Sequence, residues 1–161
     1  MGSYLNPGNS GFSNMRNDVY VDKTEMISLI NQTINTPRNL TCISRPRRFG
    51  KSFAAKMLCA YYDKTCDSKE LFDDLKIAKD DEYLKYLNQY DVIYLDMASV
   101  LGVTSSEDAV SYVKRNITEE VLDIYSEVKE AEALFDTLAN LVTYTGNKII
   151  MIIDEVGCTD S

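Results

Sequence analysis

Gly50-Lys51-Ser52 closes a short loop crowded with cations: Arg45, Arg47, Arg48 and Lys51. An apolar run from Leu40 to Ile43 leads into the loop, and a helix-forming run, FAAKMLCAYY, leaves it. Strand, basic loop, Gly-Lys-Ser and helix is the order of parts in a phosphate-binding loop. A helix start presents unpaired N–H groups and the positive end of the helix dipole, which suits an anion. Gly50 lets the backbone come close to a phosphate because no side chain stands in the way. Lys51 can reach terminal phosphates, and the Ser52 hydroxyl can ligate magnesium. The pattern G-x-x-x-x-G-K-[ST] is incomplete here, because Arg45 stands where its first glycine belongs. Pro46 also removes a backbone donor from the loop. The competing reading is a solvated basic loop ahead of a helix.

A second acidic element decides between the two. Lys148–Ile153 (KIIMII) reads as an apolar strand inside a sheet, closed by Asp154-Glu155. Carboxylates that follow a buried parallel strand emerge at its carboxyl end, the edge where open α/β sheets bind ligands. Asp154 there can hold magnesium opposite Ser52, and Glu155 can polarise a water for attack on a γ-phosphate. The alternative is an acidic pair that merely ends a strand in solvent.

The elements that must position these groups follow a strand–helix alternation. Met1–Asn17 reads as an irregular leader and Glu25–Thr33 as a helix capped by Asp22 or Thr24. A core strand lies near Leu40–Ser44 and a helix spans Lys51–Tyr62. Another helix is expected over Asp80–Asn88, and a buried strand over Asp91–Met97. A long helix from Ser105 to about Val128 and a second over Ala131–Tyr144 precede the acidic-pair strand. Strands separated by helices imply a mainly parallel sheet with helices on its faces, an α/β fold. Residues 1–39 read as leader and helix packing on the core, and 40–161 as the core of a single domain.

Composition bounds the function. The chain has 161 residues, 45% apolar content and a net charge of −8, which fits one globular domain. The acidic balance disfavours nucleic-acid binding through this stretch alone. Four cysteines without a C-x-x-C pair, and no histidine, argue against zinc and against histidine-based catalysis. Cys42 and Cys59 read as small buried hydrophobes. No apolar run of membrane-spanning length occurs, so the expected compartment is the cytoplasm.

SRPRRFGKS, the upstream VYVDKT, the DVIYLD strand and the terminal IIDE resemble the AAA-ATPase-like family of bacterial and archaeal proteins. The resemblance runs from Tyr4 to Glu155. It implies a three-layer P-loop NTPase domain of the additional-strand (AAA-like) type, usually followed by a nuclease-like domain of the PD-(D/E)XK type. In that family arginine commonly takes the place of the first loop glycine, as Arg45 does here. The resemblance implies ATP binding at Arg45, Pro46, Arg47, Arg48, Phe49, Gly50, Lys51 and Ser52, the Walker A element. It also implies magnesium at Ser52 and Asp154, the latter in the Walker B element, with Lys51 and Glu155 catalytic. Asp96 ends the DVIYLD strand at the same edge, where it either touches the site or simply closes the strand. Tyr20 and Asp22 can flank the adenine or dock the leader on the core. VGCTDS after the acidic pair departs from the family pattern, so a core incomplete at its C-terminus is expected, from a truncated reading frame or a fragment of a larger protein. The functional reading is a magnesium-dependent ATPase domain, with a nucleotide-binding remnant or interaction module without turnover as the alternative. Self-association is left open.

Overall fold

The computed structural model describes residues 4–17, 22–36 and 51–154. The strand expected near Leu40–Ser44 and Cys42 lie outside them. Within them the elements run α1 (Ser10–Arg16), α2 (Glu25–Asn31), α3 (Lys51–Tyr62), α4 (Lys69–Phe72), a 3-10 turn (Lys76–Lys79), α5 (Tyr83–Tyr86), β1 (Asp91–Asp96), α6 (Met97–Val103), α7 (Ala109–Ile124), α8 (Leu134–Thr145) and β2 (Ile149–Asp154). The two strands pair in parallel, Asp91 opposite Ile149 through Asp96 opposite Asp154. A parallel pair needs a long crossover, and α6, α7 and α8 supply it.

Alternation along the strands divides the core in two. Val92, Tyr94, Ile150 and Ile152 face a cluster built by α1, α2, α3 and the 72–87 segment. Ile93, Leu95, Ile149 and Met151 face a second cluster formed with α7 and α8. Helices therefore cover both faces of a small parallel sheet, as the α/β reading expects. Gly146, at φ 72°, ends α8 in the left-handed conformation and donates its N–H to the Val142 carbonyl at 2.8 Å.

The leader is not irregular. Tyr4–Asn6 runs antiparallel along the outer edge of β1. Tyr94 N–H donates to the Tyr4 carbonyl at 2.8 Å and Asn6 N–H to the Val92 carbonyl at 2.7 Å. The Glu120 carboxylate of α7 accepts the Tyr4 and Leu5 N–H groups at 3.0 and 3.1 Å. Residues 10–16 (SGFSNMR) are poor helix formers, yet they form α1. Phe12 explains this, because it is fully buried, stacked on Phe72 at 4.8 Å and edge-on to Phe53 at 5.7 Å. Burying such a ring contributes about 2–3 kcal/mol, which outweighs the propensity deficit.

Four other elements differ from expectation. The helix expected over Asp80–Asn88 shrinks to α5, because Asn88 (φ 55°) is drawn to the end of α3. Its N–H donates to the Tyr61 carbonyl at 2.6 Å, and its amide donates to Ala60 and Asp63 carbonyls at 3.0 and 2.7 Å. The last carbonyls of a helix need such partners. Met97 belongs to α6, not to the preceding strand, and α7 starts at Ala109 rather than Ser105. Strand β2 is less buried than an interior strand, with Ile153 48% exposed.

Candidate functional site

Asp154 ends β2 at the carboxyl edge of the sheet, in register with Asp96 at the end of β1. Only 9% of Asp154 is exposed, and a carboxylate that far from water needs hydrogen-bond donors. One is the Tyr94 hydroxyl, which donates to Asp154 Oδ2 across 3.4 Å. Burial first, then the negative charges of Asp154 and Asp96, push the Tyr94 phenol well above its ordinary pKa, so it remains a neutral donor. Asp96 is engaged elsewhere. Its side chain caps α6, accepting Ala98 N–H at 3.1 Å, Ser99 N–H at 3.4 Å and the Ser99 hydroxyl at 2.8 Å. Its expected role as a strand-end carboxylate holds, with a helix cap as the reason.

The direction of α3 is set at its far end. Tyr90, just before β1, donates its N–H to the Tyr62 carbonyl at 2.9 Å, and its own carbonyl accepts Lys64 N–H at 2.8 Å. The C-terminus of α3 is thus tied to the amino end of β1. Leu58 and Cys59, one turn back, share a buried cluster with Val92, Tyr94, Ile150 and Ile152, so α3 lies along the face of both strands. The helix therefore runs opposite to the strands. Twelve residues of helix span roughly 18 Å, and six of strand roughly 20 Å. From that joint α3 extends back toward the carboxyl ends of the strands. A helix start carries the positive end of the helix dipole.

Of the other expected site residues, Arg45, Pro46, Arg47, Arg48, Phe49, Gly50 and Glu155 lie outside the described residues, as do Tyr20 and the side chains of Lys51 and Ser52. Asp22 is described, and it docks. Its carboxylate accepts Thr24 N–H at 2.9 Å, the Thr24 hydroxyl at 2.6 Å and Lys76 N–H at 2.8 Å. The Thr24 hydroxyl in turn accepts Ile77 N–H at 3.1 Å. Thr24 holds the N-cap position of α2 but does not cap it with its side chain. Of the two readings of this segment, the described contacts match docking on the core.

The family model described as predicted AAA-ATPase (AAA-ATPase_like) matches residues 7–157. The chain belongs to the AAA-ATPase-like family. No curated protein and no solved structure matches it. The resemblance carried by SRPRRFGKS, VYVDKT, DVIYLD and IIDE is thereby borne out at the level of the family.

For an AAA-ATPase-like chain the implied companions are a nucleotide and magnesium. Magnesium keeps several waters and takes few protein ligands, one or two carboxylates with phosphate oxygens. The described residues hold no cluster of three or more His, Cys, Asp or Glu suited to a metal, and such a site does not need one. Asp154, a buried hard-oxygen donor at the carboxyl edge of the sheet, fits that chemistry. Tyr94 was missed from the sequence, although the signal was present. It stands two residues before Asp96 on the same strand face, so a parallel pairing of DVIYLD with IIMIID sets it diagonal to Asp154. No helix among the described residues is long and apolar enough to cross a membrane.

Proposed function

We propose that this chain is the ATP-binding core of a magnesium-dependent P-loop ATPase of the three-layer, additional-strand type. The observation that carries the reading is the antiparallel run of α3 against β1 and β2. That run supports a start of α3, immediately after Gly50, directed toward the sheet edge of Asp154. An anion at that helix start would meet N–H donors and the positive dipole end. Arg45–Gly50 would wrap the phosphates, and Lys51 would balance their charge. Ser52 and Asp154 would hold magnesium, which when bound neutralises charge on the phosphate oxygens. Glu155, the next residue, would orient the attacking water, while Lys51 and the loop N–H groups stabilise charge in the transition state. The setting that goes with this chemistry is the cytoplasm.

Calorimetric titration of the 161-residue chain with ATP and magnesium tests the reading, with Lys51→Ala as the control. The expected result is clear affinity in the parent chain and none in the folded variant. Equal affinity in both would remove the phosphate-loop assignment.

A further inference from the structure

We infer that Tyr94 is a positioning residue for the magnesium ligand Asp154, an inference that rests on the nucleotide-binding reading above. Tyr94 sits on β1 opposite Ile152 of β2, so Asp154 is its diagonal neighbour two residues further along the same face. Diagonal pairs across adjacent strands lie within reach of an aromatic side chain. The Tyr94 ring packs with the cluster on the α3 side of the sheet, which restricts its rotamer. The hydroxyl at its tip meets Asp154 Oδ2 at 3.4 Å. A ring held in the core and a polar tip under the carboxylate together limit how Asp154 can turn.

Asp96 does not compete for this role. It is the register partner of Asp154, but three donors of α6 occupy its oxygens. The two strand-end carboxylates thus divide their tasks. Asp96 starts a helix, while Asp154 accepts a hydrogen bond from the neighbouring strand. Groups that hydrogen-bond a ligating carboxylate orient it, and their removal typically costs 10–100-fold in metal affinity. The 3.4 Å separation is long for a hydroxyl donor, which places Tyr94 at the lower end of that range.

Tyr94→Phe deletes only the hydroxyl. ATP affinity is measured by calorimetry on the full chain in excess chelator and across a magnesium series, with thermal unfolding followed in parallel. The expected result is unchanged affinity in chelator and an approximately tenfold higher magnesium concentration for half-maximal enhancement. Asp154→Asn should lose the magnesium enhancement, and Tyr94→Phe should add nothing in that background, because Tyr94 acts through Asp154. Three results would overturn the inference: a magnesium dependence equal to or tighter than the parent's, an equal loss of affinity with and without magnesium, or an additive effect on top of Asp154→Asn. If the parent chain binds no ATP under any condition, the phosphate-loop reading falls and this inference with it. If the parent binds with a magnesium enhancement that Tyr94→Phe leaves intact, only this inference falls.

Discussion

Replacing Asp91 by alanine should loosen the joint on which α3 and β1 are mounted. The Asp91 side chain is fully buried at the amino end of β1, yet it carries an ion pair. Lys64 Nζ donates to Oδ2 at 2.9 Å. The Asn6 amide and the Tyr125 hydroxyl donate to Oδ1 at 2.9 and 3.2 Å. One carboxylate therefore ties the N-terminal segment, the turn after α3, β1 and the end of α7. Hydrogen bonds to a charged acceptor are each worth about 1.5–3 kcal/mol, and a buried donor left unpaired costs about 1–3 kcal/mol. These figures do not simply add. The Lys64 side chain is 23% exposed and can turn to water, whereas the Asn6 amide is 1% exposed and cannot. The expected loss is about 4 kcal/mol, within the range for breaking a buried pair. For a chain of this length that lowers the unfolding midpoint by about 8–16 °C. Urea and thermal unfolding followed by circular dichroism would read both values. Asp91→Asn, which keeps the shape and the Oδ1 acceptor but not the charge, should lose about half as much. A loss below about 1 kcal/mol for Asp91→Ala would show that the four segments are held by packing alone.

Glu155→Gln should leave ATP affinity unchanged and remove hydrolysis in a phosphate-release assay, and persistent turnover would assign water activation to another residue. Burial alone would raise the Asp22 carboxyl, but the hydrogen bonds from Thr24 and from Lys76 N–H outweigh it and hold the pKa below the ordinary value. A lowered folded value means stability that is present above the unfolded pKa near 3.9 and lost as pH falls through the folded one. Asp22→Ala should accordingly cost about 0.5–1 kcal/mol at pH 7, since the carboxylate is largely solvent-screened. The gap to the parent should close on acidification, and a gap that persists at acid pH would contradict this linkage. Cys59 is buried, and burial, then the Asp63 charge, pushes its thiol up to about 12. Iodoacetamide at pH 8 should therefore leave Cys59 unmodified in the folded chain and label it in urea, as read by peptide mass spectrometry. Labelling at equal rates in both would place this part of α3 in solvent.

The chain alone carried the family, the α3 boundaries and the two described strands, because each rests on local signals. Gly50-Lys51-Ser52 marks a helix start, and the run Lys51–Tyr62 forms a helix over the expected residues. DVIYLD and IIMIID are compact and apolar enough to read as strands without their partners. The strand-end position of Asp154 was legible for the same reason, as a carboxylate that directly follows such a run.

Tertiary structure decided what local signals misreport. Residues 10–16 are helical because Phe12 finds Phe72 and Phe53, partners far along the chain that no propensity anticipates. Residues 80–88 yield most of a plausible helix because Asn88 is claimed by the carbonyls of α3. Asp22 and Thr24 resemble helix caps but bind the backbone at Lys76 and Ile77 instead. Asp96 and Asp154 look equivalent in sequence, each ending a strand, and only the path of the chain after β1 commits Asp96 to α6. Pairing register alone brings Tyr94 beneath Asp154. Chemistry written in adjacent residues can be read from order, whereas chemistry shared between strands waits on the fold that sets them side by side.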